Sequence, residues 1–236
     1  MHYFTKEWYE LCQKTSAHLG LEEDEKAESF SEEYFQELYN RKLKELQMIH
    51  EEIAPKIVAE NFNQSIFHNQ QRIKNILPEA ILEKIADIRV FILCKATRQV
   101  IVDVTHFCDE NRKLMMKTIE DYQKYYKKAL EIFDTSVVEK INFHDCTVIG
   151  VEQTKNDLTF LFDNSGGFTN ITTMHLKNYE IVKQDALLQN SWWLYHEIYK
   201  TNGKYELHVL LLKKDKGLTE GLIEFTVSAE HISFEH

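Results

Sequence analysis

The stretch from Trp192 to Lys214, WWLYHEIYKTNGKYELHVLLLKK, decides the fold of the second half of this chain. Two runs of aromatic and aliphatic residues flank the dipeptide Asn202-Gly203. A two-residue type I′ turn prefers this dipeptide, because both central positions of the turn need a positive φ angle. The stretch therefore predicts a β-hairpin whose two strands meet at this turn.

The turn also predicts the register of the hairpin, because in a two-residue loop each residue of one strand has one fixed partner on the other. One face is expected to belong to the core and carries Leu194, His196 and Ile198 opposite Leu211, Val209 and Leu207. The other face carries the pairs Trp193–Leu212, Tyr195–Leu210, Glu197–His208 and Tyr199–Glu206. The polar side chains of this second face are gathered near the turn.

The positions of the seven glycines extend the assignment to the whole chain of 236 residues, since only Gly20 precedes Gly150. Glycine weakens a helix interior by roughly 0.5–1 kcal/mol relative to alanine and is favoured in turns. Apolar residues recur at helical spacing in the first part of the sequence, and alternation with a period of two begins near Thr147. We therefore expect an α+β protein with an all-helical N-terminal domain, residues 1–136, and an antiparallel β-sheet or β-sandwich domain, residues 137–236.

Local signals mark the ends of several helices in the first half. Thr5 is a candidate N-cap of a first helix, which Gly20 is expected to end. Pro78 is expected to open a further helix from Glu79, the most apolar segment of the first domain. Residues 97–107 allow a helix or, because they include a β-branched run, a strand. We predict a helix there.

Charge and composition argue against several classes of function. The chain has 38 acidic and 28 basic residues and a net charge of −10, whereas non-specific binding to nucleic acid or to an anionic membrane needs a positive surface. No apolar run approaches the ~20 residues that cross a bilayer, and the first residues lack the basic-then-apolar order of a secretion signal. The four cysteines form no C-x-x-C pair and are expected to be reduced, buried thiols. We therefore expect a cytoplasmic protein that binds neither nucleic acid nor membrane.

Four side chains are the candidates for chemistry. Glu197 and His208 face each other across the predicted hairpin, and His144-Asp145 precedes the first predicted strand. A carboxylate and an imidazole within reach of each other can act as a base and its orienting partner, or as two ligands of a metal. However, a cross-strand Glu–His pair more often makes a modest polar contact, and zinc needs three or four convergent ligands.

The sequence signatures of common catalytic sites are missing. The chain contains no G-x-G-x-x-G, G-x-x-x-x-G-K-[ST], H-E-x-x-H or G-x-S-x-G motif. We therefore predict no cofactor and no resident metal.

The hairpin carries more aromatic residues than a core on one side requires, and they fall on both predicted faces. Both faces are therefore expected to be covered, the second one either by the helical domain or by a partner protein. The predicted binding residues on the hairpin are Trp193, Tyr195 and Tyr199.

Three segments of the sequence resemble one known family: Phe4-Thr-Lys-Glu-Trp-Tyr9, Leu77-Pro-Glu with Ala86-Asp-Ile-Arg89, and Ser191-Trp-Trp-Leu-Tyr195 with Tyr205-Glu-Leu-His208. They are similar to an uncharacterised bacterial family from firmicutes, a domain of unknown function that spans the full length of the chain. The resemblance implies a bacterial cytosolic protein and brings no activity, cofactor or catalytic residue. The segment Phe143-His-Asp145 is also similar to the openings of small bacterial β domains, some of them immunity-like proteins.

Two hypotheses about function follow. The leading one is a non-enzymatic binding or regulatory protein, immunity-like in one version, that uses the aromatic hairpin or the acidic N-terminal surface to bind a protein partner. The alternative is a metal-dependent or acid-base enzyme with a site around Glu197, His208, His144 and Asp145.

Overall fold

The computed structural model describes residues 1–216 and 220–236 and shows an α+β protein. Among these residues, seven α-helices lie mostly in the N-terminal half, and one antiparallel sheet of eight strands lies in the C-terminal half. The predicted fold class is confirmed at this level.

The α-helices are α1 (Lys6–Gln13), α2 (Glu32–Ile49), α3 (Pro55–Ile76), α4 (Glu79–Leu82), α5 (Ile88–Ile92), α6 (Arg98–Ala129) and α7 (Thr135–Val138). Two short strands lie in the same half, β1 (Glu22–Glu23) and β2 (Lys95–Ala96). The large sheet contains β3 (Thr147–Gln153), β4 (Asp157–Asp163), β5 (Thr173–Lys177), β6 (Glu180–Gln184), β7 (Ser191–Thr201), β8 (Lys204–Lys213), β9 (Leu222–Ala229) and β10 (His231–Glu235).

The described residues form two compact units, which differ from the predicted domains. One unit is Leu11–Leu114, and the other consists of Met1–Glu10 together with Met115–His236. The predicted division at residue 136 follows the change from helices to strands, whereas the division by contacts falls within α1 and α6. That residues 1–136 and 137–236 fold as separate domains stays a prediction.

The unit Leu11–Leu114 is helical because local capping groups place its helix ends. The hydroxyl of Ser31 accepts a hydrogen bond from the backbone N–H of Tyr34 and caps α2. Pro55 occupies the first turn of α3, where a backbone N–H has no helical partner anyway. The main apolar cluster of the unit is formed by Ala17, Ile73, Leu77, Ile81, Phe91, Ala96, Val100, Val104 and Cys108.

Three predictions for the helical half are wrong in extent. The first helix ends at Gln13 and not at Gly20, although Thr5 does cap it, since its hydroxyl accepts a hydrogen bond from the N–H of Trp8 at 3.2 Å. The segment from Glu79 forms the two short helices α4 and α5, because the carboxylate of Asp87 starts a new helix by accepting from the N–H of Arg89. The half is also not all-helical, because β1 and β2 pair in parallel.

The helix predicted over residues 97–107 is confirmed as part of α6, which has 32 residues. The predicted burial of the cysteines holds for Cys108 and Cys146, whereas Cys12 is half-buried and Cys94 is exposed. Within residues 1–216 and 220–236, no helix is long and apolar enough to span a membrane.

The second unit is built on the large sheet, whose strand order is β10-β5-β4-β3-β7-β8-β9-β6 with antiparallel neighbours throughout. The strands predicted at 147–153 and 157–163 are β3 and β4 with the same bounds. One side of the sheet forms the main core of the unit together with residues in and near α7. This core includes Val137, Val138, Ile141, Phe143, Phe160, Met174, Val209 and Phe225. The strands β7 and β8 lie inside this sheet and carry the candidate site.

Candidate functional site

The predicted hairpin and its turn are confirmed. Asn202 and Gly203 both have positive φ angles, 53° and 83°, as a type I′ turn requires. From the pair Thr201–Lys204 to the pair Tyr195–Leu210 the observed register is the predicted one. Glu197 therefore lies opposite His208, as the sequence predicts.

Beyond Tyr195 the predicted register is wrong, because a β-bulge shifts the pairing between Trp193 and Tyr195. Trp193 pairs with Leu211 instead of Leu212. A bulge adds one unpaired residue to a strand. Counted from the turn, all residues of that strand beyond the bulge therefore change faces. Leu194 therefore leaves the predicted core face, and Trp193 takes its place.

The bulge decides the role of Trp193. Its side chain is fully buried in the main core of the unit, where its ring lies 5.5 Å from Phe143, 6.2 Å from Phe160 and 5.7 Å from Phe162. Trp193, a predicted binding residue, is thus a core residue in this structure and offers no surface to a partner.

The second face of the hairpin, formed by Tyr195, Glu197, Tyr199, His208 and Leu210, is called the hairpin face below. It is covered, as predicted, by residues from the predicted helical part of the sequence, 1–136, and these residues belong to the same compact unit as the hairpin. The first cover consists of residues Met1–Glu10, called the 1–10 segment. The second is the Met115–Ala129 part of α6, from which the hydroxyl of Tyr125 donates to the carbonyl of Ile198 at 3.1 Å.

Aromatic side chains of the 1–10 segment pack on the hairpin face. The ring of Trp8 stands edge-on to Tyr195, with 4.9 Å between centroids, and Phe4 lies 5.6 Å from Tyr195 and 4.7 Å from Tyr122 of α6. Phe4 and Trp8 are both buried. An ion pair of 2.7 Å between Lys6 of the segment and Asp185, which follows β6, adds a polar contact within the same unit.

Glu197 is fully buried, and its carboxylate holds the backbone of the 1–10 segment. Its Oε1 accepts hydrogen bonds from the N–H groups of Tyr3, at 2.8 Å, and Phe4, at 2.6 Å. Its Oε2 accepts from the N–H of His2, at 2.8 Å, and from the hydroxyl of Tyr199, at 2.6 Å. Three consecutive backbone N–H groups thus converge on one anion, a geometry that stabilises negative charge.

These contacts keep Glu197 ionised although it is buried. Burial raises the pKa of a carboxyl group, because it removes water from the charged form. At Glu197 the hydrogen bonds from His2, Tyr199, Phe4 and Tyr3 together outweigh burial, so that the pKa is lowered. The pKa of Tyr199 is raised, first by burial and then by its hydrogen bond to this carboxylate. The carboxylate and the neutral phenol are the protonation states that the observed hydrogen bonds need.

His208 faces Glu197 in the register, but its hydrogen-bond partner is another residue. Its Nε2 lies 2.7 Å from the Oε1 of Glu206 on the same strand, and its Nδ1 is buried with no hydrogen bond to any residue that the structure describes. Burial lowers the pKa of His208, and the hydrogen bond to Glu206 opposes that effect. The predicted polar contact between Glu197 and His208 is therefore replaced by separate contacts of each side chain.

His144 and Asp145 lie in the turn before β3. Their side chains contact each other, with 3.0 Å between His144 Nδ1 and Asp145 Oδ2; Asp145 is exposed, whereas His144 is half-buried. Asp145 has a φ angle of +65°, and its N–H donates to the carbonyl of Trp193 at 2.9 Å. The ring of His144 lies 5.2 Å from Tyr195 and 6.5 Å from Phe168.

The four candidates for chemistry do not form a metal-ligand cluster. In the part of the chain that the structure describes, no group of three or more His, Cys, Asp and Glu side chains is placed to hold a metal ion. The Glu197 carboxylate already accepts four hydrogen bonds from protein groups. The alternative hypothesis of a metal site built from these four residues is therefore not supported by the described part of the chain.

Sequence reasoning missed the residues that meet Glu197. His2, Tyr3 and Phe4 act through their backbone N–H groups, and a backbone group leaves no trace in residue types. The aromatic pattern did carry a signal, because Phe4 and Trp8 in the opening segment and the tyrosines of α6 all lacked a predicted partner. Of the predicted binding residues, Tyr195 and Tyr199 lie on the hairpin face and are half-buried beneath these side chains.

No curated protein and no solved structure matches the chain. One family does match it, over residues 3–219, and its description is Protein of unknown function (DUF4085). The match includes the opening segment, the helical half and the hairpin, and it confirms the resemblance to an uncharacterised family; the bacterial origin stays a prediction. Because the match covers most of its length, the chain belongs to the DUF4085 family of proteins of unknown function.

Proposed function

We propose that this protein is a non-enzymatic, cytosolic binding protein whose hairpin face binds a polypeptide segment, and that its own 1–10 segment occupies this site in the structure. The observation that carries the proposal is the buried Glu197 carboxylate with three consecutive backbone N–H groups on it. A carboxylate that holds a peptide backbone recognises a conformation of the chain, whatever its side chains are. The aromatic surroundings add the affinity.

The same geometry argues against the acid-base alternative. A general base works best when its pKa lies near the operating pH. The pKa of Glu197 is instead lowered, and both of its oxygens are occupied by N–H and O–H donors. The imidazole of His208, which lies opposite Glu197 in the register, has its Nε2 hydrogen-bonded to Glu206. These groups are arranged for holding and not for moving a proton.

A regulatory role follows if a partner segment competes with the 1–10 segment for the hairpin face. The covalently attached segment has a high effective concentration at the site, so a partner must bind well to displace it. An immunity-like protein, which blocks a partner by binding it, is one form of this function.

The test uses a chain whose own segment is weakened while the site is intact. Phe4→Ala/Trp8→Ala removes two aromatic anchors of the 1–10 segment and leaves Glu197 unchanged. A fluorescent synthetic peptide with the sequence of residues 1–10 is then titrated against this variant and against the unaltered protein. We expect the variant to bind the peptide at least about tenfold more tightly, because the attached segment no longer competes.

Two controls decide whether the carboxylate recognises backbone N–H groups. A peptide with N-methyl groups at positions 2–4 lacks the three donors, and Glu197→Gln on the variant background lacks the anion. Each is expected to weaken binding by about tenfold or more, since a hydrogen bond to a charged group contributes roughly 1.5–3 kcal/mol. Glu152→Gln, at an exposed position of β3, is the matched control and should change binding by less than about threefold.

The proposal fails if the peptide does not bind, or if binding is indifferent to Glu197 and to N-methylation. Cooperative unfolding in urea shows that the double variant is folded. Should it not be, Phe4→Ala alone is the milder variant, and the same comparison is made with it.

A further inference from the structure

A cleft of about 720 Å³ opens on the surface of the unit Leu11–Leu114. Its walls are the last turns of α3, which contribute Gln70 and Lys74, and the chain from α4 to the start of α5. Phe30, which precedes α2, stands at the rim. The volume lies within the range of about 300–1,000 Å³ that binding pockets occupy in proteins.

The floor of the cleft is apolar and open to solvent. Leu82, Ile85 and Ile88 line it and are only partly buried, although they pack on the main apolar cluster of the unit. The side chain of Phe30 is 65% exposed, and its ring lies 5.1 Å from the guanidinium of Arg89. Apolar side chains that converge on one concave surface are typical of a site that a partner covers.

The charge of the rim is negative. The guanidinium of Arg89 forms two ion pairs, with Asp87 at 2.8 Å and with Glu32 at 2.9 Å. Glu79 and Glu83 also line the cleft, and among the described residues neither of them forms an ion pair with a basic side chain. Lys74 is the one further basic residue that the described part of the chain contributes to the lining. The cleft thus joins an apolar floor to a rim that favours cations.

We propose that this cleft docks one amphipathic helix of a partner protein, with leucine-like residues on its inner face and lysine or arginine residues along its edges. An apolar groove receives the inner face of such a helix through residues spaced at i, i+3, i+4 and i+7. Basic residues at its edges then meet Glu79 and Glu83. A phosphate or nucleotide fits poorly, because Arg89 is already matched and the two glutamates repel it. This site lies in the other unit and is independent of the hairpin face.

The probe for the test is a synthetic amphipathic helix of about 18 leucine and lysine residues with a helical period. Its binding to the full chain is measured by fluorescence anisotropy. Phe30→Ala removes the apolar rim, and Glu79→Gln/Glu83→Gln removes the negative charge. We expect each variant to weaken binding by about tenfold, and amide exchange to show protection of residues 82–89 on binding.

The matched control is Glu51→Gln/Glu52→Gln, which removes two exposed carboxylates outside the cleft. It should change the affinity by less than about twofold. A peptide with glutamate in place of lysine should not bind. The proposal is overturned if the control variant weakens binding as much as Glu79→Gln/Glu83→Gln, if the acidic peptide binds equally well, or if the exchange footprint lies elsewhere. It is also overturned if Phe30→Ala abolishes a dimer of the chain, because the occupant is then a second copy.

Discussion

Replacement of Glu197 by glutamine is the sharpest perturbation of the hairpin face. Glutamine has nearly the same shape, but it offers one carbonyl oxygen and one NH₂ group where the carboxylate offers two acceptors. If the carbonyl takes the position of Oε1, it keeps the N–H groups of Tyr3 and Phe4. The NH₂ group then points at the N–H of His2 and the hydroxyl of Tyr199.

The cost of Glu197→Gln can be worked out from these contacts. The Tyr199 hydroxyl can turn and accept from the amide, so the N–H of His2 is the donor left without a partner, at about 1–3 kcal/mol. The remaining bonds lose the strength that the negative charge gives them. Burying a neutral amide is less costly than burying a carboxylate, which offsets part of the loss. We expect a net decrease of about 2–4 kcal/mol in the free energy of unfolding.

Two measurements check this prediction. Urea unfolding at neutral pH gives the free energy of unfolding for the wild type, for Glu197→Gln and for the control Glu152→Gln, an exposed position of β3 whose substitution is expected to cost less than about 1 kcal/mol. Amide exchange at residues 2–4 reports whether the 1–10 segment is released. A loss below about 0.5 kcal/mol, or unchanged protection of the three amides, would refute the reasoning, because the carboxylate would then not hold the segment.

Three other predictions follow from the same unit. Trp193→Ala should lower the free energy of unfolding by about 3–5 kcal/mol, because Trp193 is fully buried. Trp192→Ala should lower it by less than about 1 kcal/mol, because Trp192 is 38% exposed. Urea titrations measure both values, and equal losses would contradict the bulge. The free energy of unfolding should decrease as the pH is lowered below about 6.5. Burial lowers the pKa of His196 to about 4, so between these pH values the unfolded chain binds a proton that the folded chain does not. Below about 4.5 the lowered pKa of Glu197 adds a loss of the same sign; urea midpoints between pH 7.5 and 4 that do not fall would contradict both. Gly203→Ala should cost about 1 kcal/mol through its φ of +83° alone, since an added Cβ meets no atom of residues 1–216 or 220–236 within 4 Å; thermal unfolding with an unchanged midpoint would contradict this.

Local chemistry explains why much of the fold could be predicted. The Asn202-Gly203 turn, the strands β3 and β4, and the helix at 97–107 all depend on residues close in sequence. The predicted register held as far as Tyr195 for the same reason. The bulge next to it could not be predicted, because both registers place apolar residues on both faces. Which aromatic side chain fills the core is decided by the space between Phe143, Phe160 and Phe162.

The candidate site shows the opposite case. Glu197 and Tyr199 were identified from the hairpin, but their main partner lies nearly 200 residues away, in the backbone of His2, Tyr3 and Phe4. No local pattern encodes such a pairing. The cleft of the unit Leu11–Leu114 was likewise not predicted. Pro78 and the apolar residues after it predicted one continuous helix, whereas the chain is interrupted before α5 and the interrupted segment lines the cleft.

The sequence by itself determined the α+β class, the turn at Asn202 and the placement of Glu197 opposite His208, because glycine positions, turn residues and the period of two act over a few residues. Only the tertiary structure decided that Trp193 is a core residue and that Glu197 is an anchor for the 1–10 segment. The physical reason is that burial and hydrogen-bond partners depend on which distant surfaces fit together. A buried carboxylate takes its role from the donors that surround it, and here those donors belong to the opening of the chain.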